Sequence, residues 1–302
     1  MTTNPPPPLF PHTHALPQDY ETRHFFGKNY TFEDVHVTLA EKLARLSVEA
    51  GATSFVHLSA LAADAGSRSA WARSKAAGEE AVRAACPGAT IVRPADVVGP
   101  EDRFLNTFAR LYKTFPRVPL VDGGAARVQP LYVHDLARAI AAIATSEDEN
   151  VMLAQTYDLA GPDEYTMREI VEYVFESIRA VTPEVMNVSP AVAARIGAAV
   201  GALPNPLVDA DRFLRWQADV VLDELAPTLR LHDLGIEASS MEMPGFNFLH
   251  MYRSGSHFVS APRGAAWRPS CVAGARSSRP SLPPASQVDL PGANKSAARP
   301  QY

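Results

Sequence analysis

Cysteine is scarce in this sequence of 302 residues, which contains only Cys86 and Cys271. Two thiols cannot build a disulfide framework, so we expect a reducing compartment. Long apolar runs are missing as well, since none reaches the ~18 residues that a membrane-spanning helix requires. The first 17 residues have neither an apolar signal core nor an Arg-rich amphipathic pattern, so the sequence shows no import signal of the usual kind.

Phosphate-binding glycine loops and metal motifs are also missing. None of the 17 glycines completes a G-x-G-x-x-G, G-x-x-G-x-x-G or Walker pattern behind a strand, and no metal-spaced Cys/His cluster occurs. One closely spaced pair, Gly197 and Gly201, stands in an alanine-rich run. Such a run is typical of a tight helix–helix contact or of a contact with a membrane surface. The sequence therefore predicts no phosphate cradle and no metal site.

Charge is small in total but uneven along the chain. The whole sequence carries −5, while residues 253–302 carry +6 and the remainder carries −11. Nucleic-acid binding depends on clustered Lys and Arg, and an acidic body does not provide them. We therefore expect no nucleic-acid partner.

Both ends of the chain are predicted to be disordered. Residues 1–29 contain six prolines, which remove backbone donors and fix φ. Residues 253–302 are basic, rich in Pro, Ser and Ala, and lack apolar periodicity. The folded body is expected at residues 30–252.

Helical and strand patterns alternate along the first part of this body. Such alternation predicts an α/β fold with a parallel sheet and helices on both faces of the sheet. The predicted strands are residues 54–59, 89–93, 127–133 and 157–160. The predicted helices are residues 32–50, 69–85, 102–113 and one that begins near Asp135.

A smaller, mostly helical part is predicted to begin at residue 166. Thr166 and Glu169 have the spacing of a capping box, in which each side chain accepts a hydrogen bond from the backbone N–H of the other residue. Apolar residues then recur from Met167 to Ile178 at the spacing of an amphipathic helix.

Trp71 and Lys75 stand four residues apart on a predicted helix, so their side chains share one face. A phenol at position 71 would exchange a proton near neutral pH beside the lysine, whereas an indole only donates its N–H. Taken alone, Lys75 is more simply a solvated lysine, and Ser59 a strand-end cap. Arg93 and Asp96 flank a strand end, where open α/β sheets bind ligands.

From Thr53 to about Arg253 the sequence resembles the extended and atypical short-chain dehydrogenases. The resemblance is carried by the segments FVHLSALAADAGSRSAWARSKAAGEEAV, IVRPADVVGPEDRFLNTFARL, VQPLYVHDLARAI and YDLAGPDEYTMREIVEYVF. Within that family, the run GPEDRFLN (Gly99–Asn106) is most similar to the nucleotide-binding accessory subunits of mitochondrial respiratory complex I. The resemblance implies an incomplete Rossmann-like, NAD(P)-binding domain at residues 30–165 and a C-terminal subdomain at residues 166–252.

The resemblance also implies which residues face a cofactor. Carried over by position, Ser59, Lys75, Pro94 and Val97 would line the nicotinamide–ribose end of NADPH. Lys75 would bind the ribose hydroxyls, and the backbone of Val97 would meet the carboxamide. Trp71 stands where the enzymes of the family carry their catalytic tyrosine, which implies that the chain is not an enzyme and that the cofactor has a structural role.

In this family a glycine loop and four strands precede the helix that begins here near Phe32, and this sequence has no counterpart of them. The loop supplies N–H donors to the diphosphate, so without it we expect NADPH to bind at millimolar strength or not at all. We also expect an unpaired sheet edge, which favours aggregation. These expectations suggest an incomplete or mis-spliced gene product.

Two functions follow as hypotheses. The first is a non-catalytic accessory subunit that assembles with other complex I subunits where the matrix arm meets the membrane arm. It would lie on the matrix side of the mitochondrial inner membrane, in a hetero-oligomer and with a peripheral membrane contact. The alternative is an NADP(H)-dependent atypical short-chain reductase or epimerase that uses Lys75. Turnover of NADPH that is lost in Lys75→Ala would distinguish the second from the first.

Overall fold

The computed structural model describes most of the predicted body and a few residues before it. The described residues are 12–14, 23–24, 27–28, 30–115, 117–146, 148, 151, 153–201 and 206–253. The disorder predicted for residues 253–302 concerns a segment that lies, apart from Arg253, outside them.

A four-stranded parallel sheet organises the first part of the fold. Its members, in spatial order, are β1 (His12–His14), β4 (Phe55–Leu58), β5 (Thr90–Pro94) and β10 (Thr156–Leu159). The last three confirm the predicted strands that begin near Ser54, Ala89 and Tyr157. The runs of Val, Ile, Phe and Thr in these segments suit strands that are buried on both faces.

β1 lies parallel to β4 and pairs with its outer edge. The unpaired edge that we expect from the sequence is therefore not found at β4. The same proline-rich segment also contains β2 (Arg23–His24) and β3 (Gly27–Lys28), which pair antiparallel, whereas the sequence predicts no regular structure for residues 1–29. β1 lies between Pro11 and Pro17, whereas β2 and β3 follow Pro17. All three therefore keep their N–H donors, which is sufficient for strands of two or three residues.

Helices cover both faces of the main sheet, as the alternation of patterns predicts. They are α1 (Ala40–Glu49) and α2 (Ala70–Ala85) on one face and α4 (Val133–Thr145) on the other. Successive strand residues point to opposite faces. Phe55 and Ile91 accordingly pack with α1 and α2, whereas Val56 and Val92 pack with α4.

The single strand predicted from Arg127 to Val133 is wrong, because the structure has two separate strands there. They and their partners are β8 (Arg127–Val128), antiparallel to β11 (Tyr165–Thr166), and β9 (Leu131–Tyr132), parallel to β6 (Val97–Val98). Pro130 lies between the two strands, and proline has no N–H to donate to a ladder.

The largest apolar core lies beside the sheet and takes residues from both sides of the predicted boundary at residue 165. Its elements include α3 (Leu105–Thr114), β7 (Val118–Val121), α5 (Met167–Ser177) and β12 (Val185–Val188), which pairs parallel with β7. Thr166 and Glu169 form the predicted capping box at the start of α5, so this helix start is confirmed. The division into two domains stays a prediction.

Two helices of the C-terminal part touch through a glycine. They are α6 (Pro190–Gly201) and α7 (Ala210–Arg215), and α8 (Glu242–Leu249) follows later in the chain. A Cβ atom added at Gly197 would lie 2.5 Å from the Cα of Ala210, so only glycine allows this approach. The tight helix–helix contact predicted for this alanine-rich run is confirmed.

Candidate functional site

A cavity of about 660 Å³ lies at the carboxyl ends of β4 and β5. Ligands bind at this end of the strands in open α/β sheets. The cavity is lined by all four residues predicted to face a cofactor, Ser59, Lys75, Pro94 and Val97, and by Trp71. The structure thus brings the predicted residues together, while their role in binding a cofactor stays a prediction.

Ser59, at the end of β4, is held by a buried acid. Its hydroxyl donates to Oε1 of Glu79 at 2.5 Å. Arg93 donates to both oxygens of the same carboxylate, from Nε at 2.8 Å and from Nη2 at 2.5 Å. Because the hydroxyl hydrogen of Ser59 is engaged with Glu79, this serine offers the cavity only its acceptor lone pairs.

Arg93 connects Glu79 to a second buried acid, Asp158. Nη1 of Arg93 lies 3.9 Å from Oδ1 of Asp158, and Thr228 donates its hydroxyl to Oδ2 at 2.8 Å. The hydrogen bond to Glu79 raises the pKa of the Arg93 guanidinium, and burial raises the pKa of the Asp158 carboxyl. Arg93 therefore belongs to a structural ion network, whereas Asp96, the other polar residue predicted at this strand end, does line the cavity.

Trp71 and Lys75 share one face of α2, as their spacing predicts. The Nζ atom of Lys75 lies 5.6 Å from the centre of the Trp71 ring, within the range of a cation–π interaction. Only 6% of Trp71 and 8% of Lys75 are exposed. The simpler interpretation of Lys75 as a solvated surface lysine is therefore wrong.

Two further elements contact the indole of Trp71. His36, in a π-helical segment (Asp34–Leu39) ahead of α1, meets the ring edge-on with the ring centres 6.3 Å apart. Arg215, at the end of α7, stacks its guanidinium 4.4 Å from the ring centre. The indole N–H of Trp71 is buried and has no hydrogen-bond partner among the described residues.

Asp211 ties α7 to the start of α2. Its carboxylate accepts from the backbone N–H of Ala70 at 2.6 Å and from the hydroxyl of Ser69 at 2.8 Å. A carboxylate at a helix N-terminus satisfies donors that have no partner within the helix. This contact places Arg215, one turn further along α7, over Trp71.

Sequence reasoning assigned no role to three residues around the site, namely Glu79, which holds Ser59, Asp211, which caps α2, and Arg215, which stacks on Trp71. Asp211 stands 141 residues from Ala70 in the chain, so no local pattern could connect them. The only available signal was the spacing of Asp211 and Arg215, which places both on one helix face without naming a partner.

Asp102 folds the GPEDRFLN segment at the cavity wall. One carboxylate oxygen accepts from the N–H groups of Phe104 and Asn106 at 2.9 and 3.0 Å, and the other accepts from that of Gly99 at 3.1 Å. Burial nevertheless raises the pKa of Asp102 to about 6, outweighing the hydrogen bonds that lower it. The GPEDRFLN segment, which carries the resemblance to complex I subunits, thus forms a loop that closes around the carboxyl group of Asp102.

We expect the buried Asp102 to make the chain less stable as the pH rises from 3.8, its usual pKa, to about 6. In that window the folded state keeps a proton that the unfolded state has released, so raising the pH favours unfolding; the effect is fully developed above pH 6. Urea unfolding of the wild type and of Asp102→Asn at pH 4.5 and 7 measures it, because the other carboxylates cancel in the difference. Asp163→Asn, at an exposed aspartate, is the control. An equal pH response of the wild type and Asp102→Asn would contradict the prediction.

Within the described residues no helix is both long and apolar enough to cross a membrane. The same residues contain no group of three or more His, Cys, Asp and Glu placed to hold a metal ion.

Several curated proteins resemble this chain in sequence. A profile of the RmlD substrate binding domain matches residues 62–200. The mitochondrial NADH dehydrogenase [ubiquinone] 1 alpha subcomplex subunit 9 of Arabidopsis thaliana is 35% identical over 247 residues, which are 79% of this chain and 59% of that protein. The 40 kDa subunit of NADH-ubiquinone oxidoreductase from Neurospora crassa is 33% identical over 81% of this chain and 62% of its own length. The chain thus spans about three fifths of the length of these curated relatives.

A solved structure shares the fold. The NAD-dependent NDP-hexosamine 5,6-dehydratase TunA superposes with a TM-score of 0.51 over 72% of this chain and 68% of that chain, at 15% identity. At this identity the likeness shows the fold alone. Together with the parallel sheet and its flanking helices, it confirms the predicted Rossmann-like fold.

Proposed function

We propose that this chain, a relative of subunit 9 of the complex I alpha subcomplex with a Rossmann-like fold, serves as a non-catalytic accessory subunit of mitochondrial respiratory complex I. The observation that carries the proposal is the environment of Trp71. This indole contacts Lys75 and Arg215. It stands at the position where the dehydrogenases of the family are expected to carry their catalytic tyrosine. An indole N–H does not exchange a proton near neutral pH, so Trp71 cannot deliver a proton to a reacting carbonyl as the tyrosine of the family would.

The cavity fits the nicotinamide–ribose end of an NADP(H)-type cofactor, which supplies hydride transfer in enzymes that turn it over. Its volume lies within the range of about 300–1,000 Å³ found for small-molecule sites. The buried ammonium of Lys75 is a donor for ribose hydroxyls, and the backbone of Val97 lies at the cavity wall for a carboxamide. These residues would hold the nicotinamide–ribose half of the molecule, and bound cofactor would stabilise the fold by mass action.

We further propose that the partners are complex I subunits where the matrix arm meets the membrane arm, on the matrix side of the inner membrane. One face of α6 supports a contact of this kind. Val192, Ala194, Ala198 and Ala199 expose small apolar side chains there, and Arg195 is the one charged residue of the helix. An exposed apolar face of this kind is typical of a protein or membrane contact.

The purified 302-residue polypeptide is expected to leave added NADPH unoxidised, because Trp71 cannot serve as the proton donor. Absorbance at 340 nm, followed with carbonyl and sugar-nucleotide substrates, measures the rate. A tagged copy expressed in cells is expected to migrate with complex I on a native gel. A steady oxidation of NADPH that disappears in Lys75→Ala would favour a reductase or epimerase instead, and a chain found only as a free cytosolic protein would exclude the accessory role.

A further inference from the structure

We propose that the cavity beside Trp71 and Arg215 also binds a second ligand, a small molecule with an oxyanion head and an apolar body. The proposal is based on two hydrogen-bond donors. The indole N–H of Trp71 and the Nε–H of Arg215 are both buried, and neither has a hydrogen-bond partner in the part of the chain that the structure describes. Both residues line the same cavity. The inference rests on the proposed function, because it assigns a ligand to a site that is proposed not to catalyse a reaction.

Buried donors without partners are rare because each has lost its hydrogen bonds to water. The nearest acid does not satisfy Arg215, since Oδ2 of Asp211 lies 3.9 Å from Nε, which is beyond hydrogen-bond distance. The two oxygens of Asp211 already accept from Ser69 and Ala70. A ligand that brings acceptor oxygens would satisfy both donors once the side chains that cover them move aside.

The charge around these donors selects an anion. Guanidinium groups bind carboxylate and phosphate oxygens by charge-assisted hydrogen bonds, and Lys75 adds a second positive charge within 5.6 Å of the indole. Asp102 does not compete, because its oxygens are occupied by backbone N–H groups. In total the basic residues that line the cavity are Lys75, Arg103, Arg212 and Arg215, and the acidic ones are Asp96, Glu101 and Asp102.

The remaining wall is largely apolar, which argues against a bare inorganic anion. Phe104, Leu136, Trp216 and Val220 line it. Burying a hydrocarbon chain against such side chains is favourable in proportion to the apolar area removed from water. The ligand class is therefore an acyl or aryl carboxylate, or a phosphate ester of an apolar alcohol, since both present the same oxyanion head.

Calorimetric titration of the full chain with four six-carbon or inorganic probes tests the proposal. Hexanoate and hexyl phosphate are expected to bind, and the tighter of the two identifies the head group. Hexanol and inorganic phosphate are each expected to bind at least roughly ten-fold more weakly, because each lacks one half of the ligand. Trp71→Phe keeps an aromatic ring, although a smaller one, and deletes the N–H, and Arg215→Gln removes the charge. Each is expected to weaken binding about ten-fold.

Arg168→Gln is the matched control, because Arg168 is an exposed arginine outside the cavity, and it is expected to leave binding unchanged. If Arg215→Gln does not fold, as judged by circular dichroism, Trp71→Phe decides alone. Equal affinity for hexanol, or unchanged affinity in Trp71→Phe, would overturn the proposal. Displacement of hexanoate by nicotinamide mononucleotide would overturn it too, since the donors would then serve the cofactor. None of these outcomes alters the NADPH oxidation rate or the migration with complex I, so the accessory role stands or falls separately.

Discussion

Replacing Glu79 with glutamine is expected to lower the free energy of unfolding by about 3 kcal/mol, the usual cost of removing one partner of a largely buried ion pair. Glu79 is 4% exposed and accepts from Ser59 and from two nitrogens of Arg93. Glutamine keeps the shape and one acceptor but turns an NH₂ group towards the guanidinium of Arg93. The Arg93 side chain is 30% exposed, so water recovers part of the loss, which holds the expected value at the lower end of the range for buried pairs.

The neighbouring acid provides a matched control for this change. Glu80 is exposed on the same helix, and Glu80→Gln is expected to change the free energy of unfolding by less than about 0.5 kcal/mol. Urea unfolding followed by circular dichroism at pH 7 measures both variants. If Glu79→Gln costs no more than Glu80→Gln, the network of Ser59, Glu79 and Arg93 does not stabilise the site in the way the geometry indicates.

Replacing Phe108 with alanine is expected to cost about 3–5 kcal/mol, the range for deleting a fully buried aromatic side chain. Phe108 is 0% exposed in the largest core. Its ring centre lies 4.8 Å from that of Trp216, immediately after α7, and 5.9 Å from that of Phe104, immediately before α3. The cavity left behind would loosen the support of Trp216, and with it the position of Arg215 over Trp71.

Phe115→Ala is the control for this prediction, because Phe115 follows the same helix and is 41% exposed. We expect it to cost less than about 1 kcal/mol. Urea unfolding gives the stability of both variants, and the hexanoate titration gives the state of the cavity. Similar losses in Phe108→Ala and Phe115→Ala would show that the packing of Phe108 against Trp216 does not hold α7 in place.

Local patterns in the sequence predicted three strands of the main sheet and the helices that cover its two faces. The apolar runs that begin near Ser54, Ala89 and Tyr157 correspond to β4, β5 and β10. The capping box of Thr166 and Glu169 marks the start of α5. These features depend on the side chains of a few adjacent residues, so they are readable without the fold. The break at Pro130 was also readable from its missing N–H, but the apolar residues on both sides of it predicted a single strand.

Features that depend on distant partners could not be predicted. His12–His14 lies beside β4 across some 40 residues of chain, and nothing in its own composition indicates a strand. The site shows the same limit. Spacing placed Trp71 and Lys75 on one helix face, but it did not predict that both are buried or that Arg215, from a helix much later in the chain, stacks on Trp71.

The sequence by itself therefore determined the type and order of β4, β5, β10 and the helices beside them, the indole at position 71 and the face it shares with Lys75. Only the tertiary structure decided that Ser59 donates to Glu79 and that Asp211 attaches α7 to the start of α2. It also decided that two donors beside the cavity have no hydrogen-bond partner among the residues it describes. The physical reason is that periodicity and capping act within a few residues, whereas the partner of a buried polar group is set by which distant segments pack together.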